Sequence, residues 1–387
     1  MQYMDSIFVS LLKPIDRRHF RSLIARHDGD AYDKSFKSWD HLVALTYTQF
    51  SQATSLRGVV AGFNANPNCH YHLGVRKISR STLSDANARR PVGVFSALFE
   101  TLSQAVDRQV RQEGAEMLRL IDASPIPLGK VCGWAGWNGR IRGLKMHVVY
   151  DPKNDRPCSV EVTPATINDI EAGRRVALEA GATYVFDKGY CHYGWWRQID
   201  AADAVFVTRA KSNMRLRATR RRKPRKVVGD GFRVIDDAEV RLVSKGDSKL
   251  AIALRRIRVR REKGGLITLI TNDMTRSAVE IAALYKIRWQ IELLFRWIKQ
   301  HLVIRKFLGN NENAIHLQIL GAMIAYLLLR IAARLHRVKI PLLRLAELVG
   351  QSLFTRRTIH RIDRPPPVNP SKPKPKTPAN QLAFCYA

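Results

Sequence analysis

Tyr285, Arg288, Glu292 and Lys299 lie at offsets of 0, 3, 7 and 14 residues. On a helix these positions fall within roughly 60° of one another, so one stripe carries a phenol, a guanidinium, a carboxylate and an ammonium. A carboxylate flanked by two cations and a phenol suits a metal ion beside a phosphodiester. Two further acids close apolar runs: Asp122 ends MLRLID and Asp187 ends ATYVFD. Three carboxylates form an oxygen-only ligand set of the kind that holds Mg²⁺ or Mn²⁺. Two such ions activate water or a 3′ hydroxyl on one side of phosphorus and stabilise the leaving oxygen on the other.

The stripe needs a helix. Residues 277–301 (SAVEIAALYKIRWQIELLFRWIKQH) are read as one amphipathic helix, opened by a capping box of Ser277 and Glu280. Ile281, Leu284, Ile291, Leu294, Phe295 and Ile298 give it an apolar face. Taken alone, the Arg288 and Glu292 pair also fits a solvated, salt-bridged surface helix.

The two aspartates need strands. Residues 117–122 and 144–150 read as neighbours joined through a turn that ends in Asn138-Gly139, and 159–162 supplies a third strand. A helix is expected over 168–180, with Asn168 and Asp169 at its cap. Strands follow at 182–187 and 204–208. Three strands, helix, strand, helical turn, strand is the order of a ribonuclease H-like core, in which the first and fourth strands lie side by side. Asp122 and Asp187 would then share one end of the sheet.

Residues 211–226 hold the densest basic run and no acid, and strands are expected at 232–235, 238–243, 250–258 and 266–271. The basic run reads as a strap on a DNA backbone or as a solvated loop. Short helices fill the first hundred residues, broken at 64–67 and at Pro91. Residues 78–90 form a hydroxyl-capped basic helix whose Arg80 and Arg89 would face phosphates. An apolar helix is expected over 314–335, and a Pro/Lys tail from Arg356 onward is expected not to fold.

The fold class is therefore α/β: a ribonuclease H-like catalytic core with a β-strand insertion, preceded by a helical DNA-binding domain. The boundaries are 1–112 for the helical domain, 113–210 and 276–336 for the two parts of the core, 211–275 for the basic insertion and 337–387 for the carboxy-terminal region.

The chain has 387 residues, 45% of them hydrophobic, and a formal net charge of +32. That charge points to a polyanionic partner, and nucleic acid is favoured over a membrane. Residues 1–14 include Asp5, and the most apolar run, 319–329, is too short to span a bilayer. Five cysteines without a CxxC pair indicate reduced thiols in a cytoplasmic setting. Cys69, His70 and His72 are too crowded for a tetrahedral zinc site. There is no Ser/His/Asp arrangement and no P-loop.

Tyr285-x2-Arg288-x3-Glu292-x6-Lys299 resembles the Y-R-E-K signature of the insertion-sequence-four family of DDE transposases. Asp122-Ala123-Ser124 and Asp187-Lys188-Gly189-Tyr190 resemble its two aspartate motifs. The likeness covers residues 118–333, and residues 18–102 resemble the amino-terminal domain of one bacterial branch.

The resemblance implies that Asp122, Asp187 and Glu292 bind two Mg²⁺ or Mn²⁺ ions and that Tyr285, Arg288 and Lys299 hold phosphates. Lys188, Arg209 and Lys211 are further candidates for DNA contact. It implies cut-and-paste transposition: metal-dependent cleavage at terminal inverted repeats and strand transfer into target DNA. The protein would act as a homodimer in a synaptic complex, in a bacterial cytoplasm and on the nucleoid. The alternatives are a catalytically silent DNA-binding descendant and a ribonuclease H-like nuclease without strand transfer. Relatives use an insertion-domain Trp to stack on a flipped base. No Trp lies between Trp196 and Trp289, leaving Phe232 or the Trp195-Trp196 pair as substitutes.

Overall fold

A computed structural model of the chain describes residues 5–112, 117–222, 228–229, 231–243, 252–262, 264–304 and 306–364. The chain opens with seven helices: α1 (Ile7–Leu12), α2 (Arg17–Arg26), α3 (Ser38–Ser51), α4 (Leu56–Asn64), α5 (Pro67–Leu73), α6 (Arg80–Arg89) and α7 (Val92–Gln112). Their starts are set locally, since Asp16, Ser55 and Ser79 each accept from backbone N–H groups of the first turn of α2, α4 and α6.

The mixed region follows with β1 (Leu118–Pro127), β2 (Gly143–Asp151), β3 (Arg156–Pro164), α8 (Asp169–Gly173), β4 (Thr183–Phe186), α9 (Tyr193–Ala201) and β5 (Val205–Arg209). The insertion contributes β6 (Leu216–Arg221), β7 (Val228–Gly229), β8 (Phe232–Leu242), β9 (Leu254–Arg261) and β10 (Leu266–Thr271). The chain then returns to helices: α10 (Ala278–Ile287), α11 (Trp289–His301), α12 (Glu312–Leu335) and α13 (Leu342–Ser352).

All the strands join one sheet in the order β3-β2-β1-β4-β5-β10-β9-β8-β6, with β7 beside β8. β1 and β4 are parallel neighbours, as the ribonuclease H-like order requires. The insertion extends this sheet: β10 lies antiparallel to β5 and carries β9 and β8 on its far side.

One face of the sheet packs on α10, α11 and α12, and the other holds a smaller core around Trp195, Trp196 and Phe206. α12 runs through the helical layer, meeting α3, α6 and α7. Gly321 lets it approach α3 closely, since a Cβ there would lie 3.2 Å from the Leu45 Cβ.

Several sequence expectations change. β1 continues five residues past Asp122, through Pro125 and Pro127, so this acid is in mid-strand. Proline is tolerated because β4 ends at Phe186 and leaves that edge of β1 unpaired. The helix expected over 168–180 stops at Gly173, whose backbone lies against the Tyr190 ring, and the following segment returns to pin Glu179 on Arg119. Strands 232–235 and 238–243 are one strand with an irregularity between Val234 and Asp236.

α12 has 24 residues and by length and composition is apolar enough to cross a membrane, but 83% of its most apolar window is buried inside the fold. Residues 356–364 do fold: Arg356 bridges to Ser6, and Ile359 and Ile362 are buried. Most of the Pro/Lys tail, and residues 223–227 of the basic run, lie outside the described residues.

Candidate active site

Strand register places the first two acids. Ile121 lies beside Phe186 in the parallel β1–β4 pair, so the next positions in line are Asp122 and Asp187. Asp122 shares a face of β1 with the buried Leu120, toward the helical layer.

The third acid comes from the helices. The capping box is present: Ser277 Oγ accepts from the Glu280 N–H at 3.3 Å, and the Glu280 carboxylate accepts from the Ser277 N–H at 2.7 Å. Asp273 folds the turn before it by accepting from the N–H groups of Thr275 and Arg276. The single helix expected over 277–301 is two segments, α10 and α11, meeting at Arg288. There the N–H bonds to the Tyr285 carbonyl three residues back, a tighter turn than the α-helical one.

Arg288 spans the site. One amino group donates to Asp122 Oδ2 at 3.1 Å and the other to Glu292 Oε1 at 2.5 Å. The Tyr285 hydroxyl donates to Asp187 Oδ1 at 3.2 Å, and the Arg288 guanidinium carbon is 5.8 Å from the Tyr285 ring centre. Lys299 Nζ donates to the Pro125 carbonyl at 2.8 Å. Three residues of the stripe, Tyr285, Arg288 and Lys299, thus reach β1 or the end of β4, and Glu292 is joined to them through Arg288.

The electrostatics follow from this crowding. Burial pushes Asp122 up to about 6, and the charges of Glu292 and Asp187 add to the rise against the opposing pull of Arg288. Burial likewise pushes Tyr285 up to about 12, so it remains a neutral donor at physiological pH. Burial works against the charge of Arg288, yet Asp122 and Glu292 outweigh it and hold the guanidinium above its ordinary value.

Among the described residues, no three acidic, histidine or cysteine side chains stand as a ready-made metal cluster. The space between Asp122 and Glu292 is taken by the Arg288 guanidinium. The donor set nevertheless fits a hard divalent cation, being oxygen-only, with two of its three acids already drawn around one positive charge.

Of the other candidates, Arg209 shares with Asp187 and Tyr285 the wall of a cavity of about 450 Å³. Lys188 is exposed directly after Asp187, and Lys211 is tied to the Cys191 carbonyl at 3.2 Å. Arg80 and Arg89 are exposed on α6, far in sequence from the acids and joined to them by no contact among the described residues.

The Trp195-Trp196 pair is corrected: both rings are buried in the sheet's second core and cannot stack on a base. Phe232 is also buried in the main core, though it contributes to the wall of the same cavity. Sequence reasoning missed Lys286, Trp289 and Arg261, which also line it. The signal was available for two of them, since Lys286 and Trp289 flank Tyr285 and Arg288 on the same helical stretch.

Comparison with known proteins adds to this geometry. The family described as "Transposase DDE domain" matches residues 113–328, and a domain of unknown function, DUF4372, matches residues 4–76. The chain is 63% identical over 304 residues to the y4zB protein of Sinorhizobium fredii, assigned as a transposase, covering 79% of this chain and 85% of that one. It is 29% identical over 263 residues to a Geobacillus stearothermophilus protein assigned as the transposase of insertion sequence element IS5377, covering 66% of this chain and 68% of that one. It is 25% identical over 263 residues to a Synechocystis protein assigned to insertion sequence element IS4SA, covering 65% of this chain and 71% of that one.

Proposed function

The chain belongs to the DDE transposase family and is a DNA transposase, and we propose that it cuts at terminal inverted repeats and joins the freed 3′ ends to target DNA. The observation that carries this reading is the convergence of three sequence-distant acids on the Tyr285–Arg288 pair: Asp122 and Glu292 on Arg288, Asp187 on Tyr285.

In this reading Asp122, Asp187 and Glu292 hold divalent cations, Mg²⁺ with Mn²⁺ as a substitute. These supply the charge that activates a water or 3′ hydroxyl and steadies the leaving oxygen. The chain's own groups do the positioning. Arg288 exchanges its carboxylate partners for a phosphate, a bidentate exchange for which its fork is suited. Tyr285 orients Asp187 as a neutral donor, and Lys299 fixes the strand beyond the reacting phosphate. Arg209, Lys188 and Lys211 border the approach to Asp187. The helical segment 1–112, through Arg80 and Arg89, holds DNA away from the acids.

Two copies would act together on two ends, in the cytoplasm of a bacterial cell and on its nucleoid. The test uses a duplex made from the DNA bordering the gene, pre-cleaved to expose a 3′ end, with a supercoiled target and Mg²⁺. A joined product supports transposition. Hydrolysis without joining would reduce the activity to that of a nuclease.

A further inference from the structure

The hairpin between β1 and β2, residues 128–142, has no part in the chemistry above, yet it is built as a rigid projection. Leu128, Cys132 and Ala135 anchor it in the main core. The Trp134 indole N–H donates to the Asn310 carbonyl at 2.7 Å, and Arg142 donates to the carbonyls of Gly133 and Ala135. Asn138 Oδ1 accepts from the N–H groups of Arg140 and Ile141 at 3.0 and 2.9 Å, and its Nδ2 donates to the Ala165 carbonyl. Gly139, at φ +89°, closes the turn as only glycine does readily.

This fixed frame carries an unusual surface. Trp137 is 59% exposed and Val131 75%, with Lys130 and Arg140 exposed beside them. No acidic residue occurs from 123 to 150. An exposed tryptophan on a fixed backbone frame, with cations beside it and no acid in its stretch of sequence, is the chemistry that grips a nucleic acid, ring against base or sugar and cation on phosphate.

Its position specifies which stretch of DNA. β1 and α11 run side by side, tied at Arg288 between Asp122 and Glu292 and again by Lys299 at Pro125. Between the two ties the strand advances about 10 Å and the helix about 16 Å, a difference that the long Arg288 and Lys299 side chains take up, so they point the same way, from the acids toward the hairpin. From Asp122 to the end of β1 is about 17 Å, or about five base pairs of duplex.

We infer that this hairpin is a DNA-gripping finger that holds the duplex about five base pairs from the reacting phosphate, with Arg140 on the backbone and Trp137 against the sugar or base edge. The inference rests on the transposase reading.

The experiment compares wild type, Trp137→Ala and Arg140→Ala by hydroxyl-radical footprinting and by binding across a salt series, on a labelled duplex made from the DNA bordering the gene. Both side chains are exposed, and an unchanged thermal midpoint confirms that the variants fold.

The expected result is loss of protection about five base pairs from the cleavage position, with protection at the cleaved phosphate retained. Trp137→Ala weakens binding about five-fold or more, and Arg140→Ala lowers the slope of log affinity against log salt by about 0.9. Variants with the wild-type footprint and slope overturn the finger, and would leave the surface to a protein partner. A wild type that protects no DNA at all overturns the transposase reading and the finger together.

Discussion

The guanidinium of Arg288 donates to the carboxylate of Asp122 across 3.1 Å, joining residues 166 positions apart in the chain. This contact draws the α10–α11 junction onto the mid-point of β1, where β4 stops and the strand edge opens. The same guanidinium holds Glu292, so one cation sets the spacing of two acids.

Removing that cation leaves two half-buried carboxylates facing each other. Arg288→Ala is expected to lower unfolding stability by about 2 kcal/mol. Millimolar Mg²⁺ should restore part of the loss by binding the folded form. Urea unfolding with and without the ion reads both effects, and an unchanged midpoint would show that the pairs contribute nothing.

Tyr285 tests the second contact. Its hydroxyl stays protonated, with its pKa pushed up to about 12 by burial, and it donates to Asp187. Tyr285→Phe should leave stability within about 1 kcal/mol while slowing end cleavage about ten-fold, the scale of one hydrogen bond to a charged group. A wild-type rate would remove Tyr285 from the positioning of Asp187.

Acid should loosen the fold away from the site. Burial holds His41 down at about 3 and His147 at about 4, so both are neutral in the native protein at pH 5. The unfolded chain takes up these protons as pH falls below about 6.5 and the folded chain does not. Their stability contribution is therefore full above that pH and is lost as pH falls toward the folded values. Going from pH 7 to 5 should cost about 2 kcal/mol per histidine. Urea unfolding at pH 7 and 5 measures the slope, and His41→Gln should flatten it.

The start of α10 is a local device with its own expected cost. Ser277→Ala removes the side-chain acceptor for the Glu280 N–H and should destabilise the protein by about 1 kcal/mol. A change below the error of a denaturant titration would mean that tertiary packing alone sets this helix start.

What could be read in the sequence divides along physical lines. The Y-R-E-K stripe, the capping box at Ser277 and the strand pair carrying Asp122 and Asp187 were legible because local periodicity and capping chemistry determine them. The end of β1 was not, because the tolerance of Pro125 and Pro127 depends on where the neighbouring β4 stops.

The break at Arg288 was equally hidden. Its residues have good helical character, and the tightened turn occurs where the side chain spans to Asp122. The fates of Trp195 and Trp196 depended on which sheet face α9 covers, a tertiary matter that no spacing reveals. The extension of the core sheet by the insertion strands is likewise written only in the β5–β10 pairing.

The most direct test of the account is Glu292→Ala, assayed for Mg²⁺-dependent cleavage of a duplex made from the DNA bordering the gene and, in parallel, for binding to that duplex. The account predicts that cleavage falls to background while binding stays within a few-fold of wild type. Unchanged metal-dependent cleavage would contradict the assignment of Glu292 to the active site.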